Sequence, residues 1–154
     1  MQVRRLVADD SELALEALRL LKAPDGYPTP PPEYLAGFLS RGDNVLIVAT
    51  VDGVPAGFLL AYLLDRIDRD QPMMFLYEIG VAESHRRRGI GTQMIAELKA
   101  VCRSHDVMKM WVPTGRSNIP AMRLYASTGA TPLPSGDEVT YAYSRDTFMP
   151  PSPE

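Results

Sequence analysis

The chain of 154 residues is 45% hydrophobic and 23% charged, which suits one domain of ordinary size around a single core. A net charge of −3 at pH 7 argues against a nucleic-acid partner, which needs an extended basic face, and gives a slight pull toward a cationic small molecule. Cys102 is the only cysteine, two histidines give no metal-ligand spacing, and the apolar run 54–64 is far short of the roughly 20 residues a membrane span needs, so a cytoplasmic protein without disulfide, metal, nucleic acid or membrane is expected.

Residues 3–7 read as a short strand. Asp9, with Glu12 three residues on, reads as a capping box opening a helix that turns Leu13, Ala17, Leu20 and Leu21 inward and ends near Lys22. Five prolines in residues 23–32 remove backbone donors and fix φ, which predicts an ordered surface loop before a second helix over 33–40. Residues 45–51 and 54–64 form a hairpin about Asp52-Gly53, a dipeptide suited to the positive φ angles of a two-residue turn. The charged loop 65–72 reads as solvated, and residues 73–81 as a mostly buried strand. Ile90, Met94, Ile95, Leu98, Val101 and Cys102 recur at helical spacing as far as about residue 104. A strand over 107–112, a helix over 118–128 and a last strand over 138–145 complete the pattern. The order predicts an α/β (α+β) sandwich with a mixed sheet of six to seven strands and about four helices, a single domain over 1–148 and a loose tail over 149–154.

Between the strand 73–81 and the long helix lies Glu83-Ser84-His85-Arg86-Arg87-Arg88-Gly89-Ile90-Gly91-Thr92. A helix start leaves about four N–H groups unpaired and carries partial positive charge, so a basic turn with two bare residues, Gly89 and Gly91, reads as a phosphate cradle. A dinucleotide fold would want a third glycine where Met94 stands, and a Walker loop would want Gly-Lys-Ser/Thr; neither is present. The alternative is a solvated basic turn. The segment resembles the signature of the Gcn5-related N-acetyltransferases, Gln/Arg-x-x-Gly-x-Gly/Ala, through Arg86, Gly89 and Gly91. A second block, Asn118, Ala121, Leu124, Tyr125 and Gly129, is similar to that family's Asn-x-x-Ala-x-x-Leu-Tyr-x-x-x-Gly-Phe, with Ala130 in place of the final Phe. Structural readings of the same residues stand beside it: Asn118 caps the helix start, Pro120 sits in its first turn and Gly129 ends it.

The resemblance, over about residues 3–146, implies the family's fold and acetyl-CoA as cosubstrate. It further implies that Arg86, Arg87, Arg88, Gly89, Ile90, Gly91 and Thr92 bind the pyrophosphate. Ile79 and Val81 would pair with the pantetheine arm in a gap beside the strand 107–112, and Asn118 and Tyr125 would face the coenzyme. Tyr77-Glu78-Ile79-Gly80-Val81 before Glu83 to Gly89 looks like the corresponding segment of small aminoglycoside 3-N-acetyltransferases, with Glu78 where those enzymes have Asp. Tyr143, Ser144 and Arg145 depart from the acids at the end of their last strand. The acceptor implied is a cationic amine, an aminoglycoside; a homodimer is compatible. Chemically, transfer to an amine needs a base and a stabilised leaving thiolate. Glu78 is the candidate base, its pKa raised by burial, or else an edge carboxylate paired with an arginine; Tyr125 is the candidate acid, or else a core aromatic. His85 reads as a turn residue and Cys102 as a small buried one, so direct transfer is expected. Another small amine, or a non-catalytic coenzyme A module, remains as an alternative.

Overall fold

The computed structural model describes residues 1–133. Strands β1 (Gln2–Arg5), β2 (Asn44–Val51), β3 (Val54–Leu64), β4 (Met73–Val81) and β5 (Lys109–Trp111) lie side by side in chain order. The first four pair antiparallel, and β5 runs parallel to β4. Four helices accompany them: α1 (Ser11–Leu21), α2 (Pro32–Ser40), α3 (Ile90–Ser104) and α4 (Ile119–Ser127). The described residues therefore hold five strands rather than six to seven, every strand expected before residue 113 being present. The strand expected over 138–145, the departures at Tyr143 to Arg145 and the tail 149–154 lie outside the described residues. Among the described residues no helix is long and apolar enough to cross a membrane.

The sheet is covered on both faces over β2 and β3, which explains why residues 44–49 of β2 are buried without alternation. Val45, Ile47 and Ala49 face one way, with Leu59, Met74 and Leu76, onto Ile90, Met94, Ile95, Leu98 and Val101 of α3. Leu46, Val48 and Phe58 face the other way, onto Ala14, Leu15 and Ala17 of α1 and Leu35 and Leu39 of α2. Asp52 (φ 51°) and Gly53 (φ 80°) form the expected two-residue turn between β2 and β3.

Two local expectations are corrected. A 3-10 turn at Ala8–Asp10 precedes α1, and Asp10, not the Asp9 and Glu12 pair, closes it by accepting the Val7 N–H at 2.8 Å. Of the residues expected inward, Ala17 is buried with Ala14 and Leu15, and Leu13 and Leu21 pack partly buried against them, while Leu20 is exposed. Asp10 also takes Arg4 of β1 in a bidentate pair at 2.6 and 2.8 Å, and this pairing with the Val7 N–H holds its carboxyl down at about 2.

Candidate active site

The site is built on an irregularity in β4. Leu60 of β3 faces Glu78 while the next residue, Ala61, faces Leu76, so Tyr77 is an extra residue bulged out of the ladder. In a regular strand Met74, Leu76 and Glu78 would share a face. With the bulge, Met74 and Leu76 are followed on the α3 side by Ile79 and Val81, which pack on that core, and Glu78 is re-aimed toward α1. On its other edge β4 meets β5 only at Met73–Lys109, Met74–Met110 and Phe75–Trp111. The Phe75 and Trp111 rings stack at 5.0 Å across the last of these pairs. Beyond it the edge of β4 over 76–81, including Ile79 and Val81, has no strand beside it among the described residues.

Glu78 sits on the α1 side of that open edge. Its Oε1 accepts a 2.5 Å bond from Nζ of Lys22, the residue that ends α1; the Glu78 side chain is 34% exposed and that of Lys22 15%. The carboxylate is therefore paired, with a lysine rather than the arginine considered from sequence. The Lys22 ammonium also lies 4.0 Å from the centroid of Tyr27 and 5.7 Å from that of Phe58. Tyr62 and Phe75 make edge contacts with Tyr77, at 5.8 and 5.9 Å, continuing an aromatic row beside Glu78. Burial, with Tyr77 near, pushes the Tyr62 hydroxyl up, so it stays protonated at neutral pH. Gly80 lies under Phe58, where a Cβ would come within 2.7 Å of the ring.

The basic turn closes the α3 side. A short 3-10 turn, Glu83–His85, leads into it, and the His85 ring makes a 2.9 Å contact with the Ser84 hydroxyl. Arg86 Nε donates to the Val81 carbonyl at 3.2 Å, and Arg88 is exposed. Arg87 (φ 59°) and Gly89 (φ 78°) both take left-handed backbone to turn the chain into α3. The first bond of that helix is from Gln93 N–H to the Gly89 carbonyl, so the amides of Ile90, Gly91 and Thr92 have no helical acceptor, and Gly89 has no side chain to cap them. Gly91 also meets a packing constraint: a Cβ there would meet Leu124 of α4 at 3.0 Å. Asn118 caps α4 by accepting the Ala121 N–H at 3.2 Å. Tyr125 packs on the α3-side core, and burial pushes its hydroxyl up, as it does the Cys102 thiol. Glu78 and Tyr125 thus occupy opposite faces of the sheet, with the open edge of β4 between them.

An open strand edge ending at a basic helix start suits a ligand that carries an amide-bearing arm and phosphates, since both supply the partners those groups lack. A model of the acetyltransferase (GNAT) family matches residues 13–130. The chain belongs to this family. It is therefore an acyltransferase, and the family implies use of an acyl-coenzyme A. No curated protein sequence matches the chain.

The GNAT fold is also that of several solved structures. An aminoglycoside acetyltransferase, meta-AAC0020, from an uncultured soil metagenomic sample, in complex with sisomicin, is 20% identical with a TM-score of 0.81, over 93% of this chain and 96% of that one. Aminoglycoside N-acetyltransferase AAC(6')-Iy in complex with CoA is 22% identical with a TM-score of 0.70, over 94% of this chain and 99% of that one. A ribosomal-protein-alanine N-acetyltransferase from Brucella melitensis biovar Abortus 2308 is 20% identical, TM-score 0.70, over 94% and 99%.

Lys22 and the Tyr77 bulge were missed in the sequence. A lysine in the last turn of a helix already has an explanation in the helix dipole, and nothing in Leu-Tyr-Glu requires an extra residue in the ladder.

Proposed function

We propose that this GNAT enzyme transfers acetyl from acetyl-CoA directly to a primary amine of an aminoglycoside, at a 3-N position by the resemblance of residues 77–89. The observation that carries the reading is the open edge of β4 between Glu78 on one face and, on the other, Tyr125 and the uncapped start of α3. When bound, acetyl-CoA supplies an activated acyl group and a thiol leaving group. The β4 edge at Ile79 and Val81 would pair with its pantetheine arm. The amides of Ile90, Gly91 and Thr92, with Arg86, Arg87 and Arg88 around them, would hold its pyrophosphate, and Asn118 and Tyr125 would face it across α4.

Glu78 takes the proton that the acceptor ammonium must lose before its nitrogen can attack. Tyr125, kept protonated by its burial, holds a proton for the leaving group. A cationic acceptor is supported by the carboxylate of Glu78 and the aromatic row beside it, and an aminoglycoside by the neighbour solved with sisomicin. The Brucella neighbour, which acts in name on a protein alanine, supports another small amine or a peptide terminus as the second reading.

Thiol release from acetyl-CoA across gentamicin-like, kanamycin-like and non-sugar amines separates the two. An aminoglycoside is expected to turn over fastest; simple polyamines turning over faster would sink the aminoglycoside reading and leave the acetyltransferase one.

A further inference from the structure

We propose that Lys22 is a stand-in for the acceptor: in the free protein its ammonium occupies the position of the substrate's ammonium against Glu78, and acceptor binding displaces it. The inference rests on Glu78 being the base of the proposed reaction.

The Lys22 Nζ already has what a bound primary ammonium needs. It has a carboxylate oxygen at 2.5 Å, an aromatic face at 4.0 Å from Tyr27 and a second ring, Phe58, at 5.7 Å. Helix α1 ends at Lys22, and the 3-10 turn Ala23–Asp25, closed by Gly26 at φ 86°, brings the chain back so that Tyr27 covers the ammonium from outside. Tyr27 is itself 55% exposed, and Glu78 is partly exposed, so the position is reached from solvent past that ring.

An incoming ammonium cannot share the carboxylate with Lys22 easily. Two unit positive charges about 4 Å apart repel strongly at a half-buried site, where water screens less than in bulk. A carboxylate that is to accept a proton also needs its lone pairs free of a competing donor. Lysine suits a displaceable occupant: its charge sits on a flexible stem anchored at the helix end, from which it can swing to water. Lys22 then sets the apparent affinity of the site, since every acceptor must outcompete it at Glu78.

The test compares Lys22→Met and Lys22→Arg with the unaltered protein. With the best amine of the panel above, Lys22→Met is expected to lower KM by about fivefold, the worth of an ion pair that no longer has to be broken, with a larger change in KM than in kcat. Lys22→Arg, which keeps the competing charge, should not lower KM. A purely structural ion pair would instead lower the melting temperature of Lys22→Met and leave KM unchanged or higher, and that result would overturn the inference.

A second measurement does not depend on turnover. Truncation in Lys22→Ala leaves a lysine-shaped vacancy beside Glu78, and n-butylammonium, measured by calorimetry, should bind there more tightly than to the unaltered protein, to which it should still bind weakly by displacing Lys22. Equal binding to both, or none to the unaltered protein, would also overturn the inference. If no amine of the panel is acetylated, the proposed function fails while this calorimetric comparison still decides the role of Lys22.

Discussion

At the scale of single residues, the two faces of the sheet separate Glu78 and Tyr125, the groups proposed to handle protons, and their substitutions should differ accordingly. Glu78→Gln keeps the shape but cannot take a proton, so kcat with the best amine should fall about a hundredfold or more. Steady-state kinetics would detect it, and unchanged turnover would remove Glu78 from the mechanism. Tyr125→Phe should cost less, about tenfold in kcat with little change in KM, because a thiol leaves more readily than an amine loses its proton. Gly91 offers a contrast that involves no chemistry. Its Cβ position lies 3.0 Å from a Leu124 methyl, so Gly91→Ala should make that side chain give by a few tenths of an ångström, offset by the helix preference of Ala. A net change within about 1 kcal/mol in denaturant titration is expected. These residues were legible in the sequence as a motif, but the packing of Gly91 on Leu124 was not: a partner 33 positions on cannot be seen in a local pattern.

At the scale of elements, legibility followed the strength of the local chemistry. The hairpin 44–64 was readable because Asp52-Gly53 demands one turn type, and β4 matched its predicted bounds because nine residues between a charged loop and a basic turn leave little choice. The register inside β4 was not readable. A bulge reverses which residues face which layer without changing composition, so Glu78 could be named from sequence while the Lys22 ammonium against it could not. The start of α1 was misread for a similar reason, since Asp9 and Asp10 are both plausible caps and only the Arg4 pair selects Asp10. That pair predicts a pH dependence. The Asp10 carboxyl is lowered from 3.8 to about 2 on folding, so its contribution to stability is complete above the unfolded value and is lost as pH falls through that window. Asp10→Asn should lower the melting temperature at neutral pH and flatten its decline between these two values, which thermal unfolding across a pH series would reveal.

At the scale of the whole molecule, the donor should act as a structural ligand as well as a reactant. Anything that binds only the folded state stabilises it by mass action, about 2.7 kcal/mol at a hundredfold excess over its Kd, so acetyl-CoA should raise the melting temperature well before any amine is added. Where that stabilisation falls follows from the join between β4 and β5. Among the described residues, three residue pairs and one ring stack are all the ladder that ties β5 to β1–β4, whereas β2 and β3 pair along eight positions. The molecule thus has a seam. Amides of β5 should exchange with deuterium faster than those of β2 and β3, and donor binding should slow them most, since on the proposed binding mode the coenzyme arm would pair with the open edge of β4. On the proposed binding mode, each catalytic cycle would then close and reopen the seam, and the protein would be held together best while it is at work.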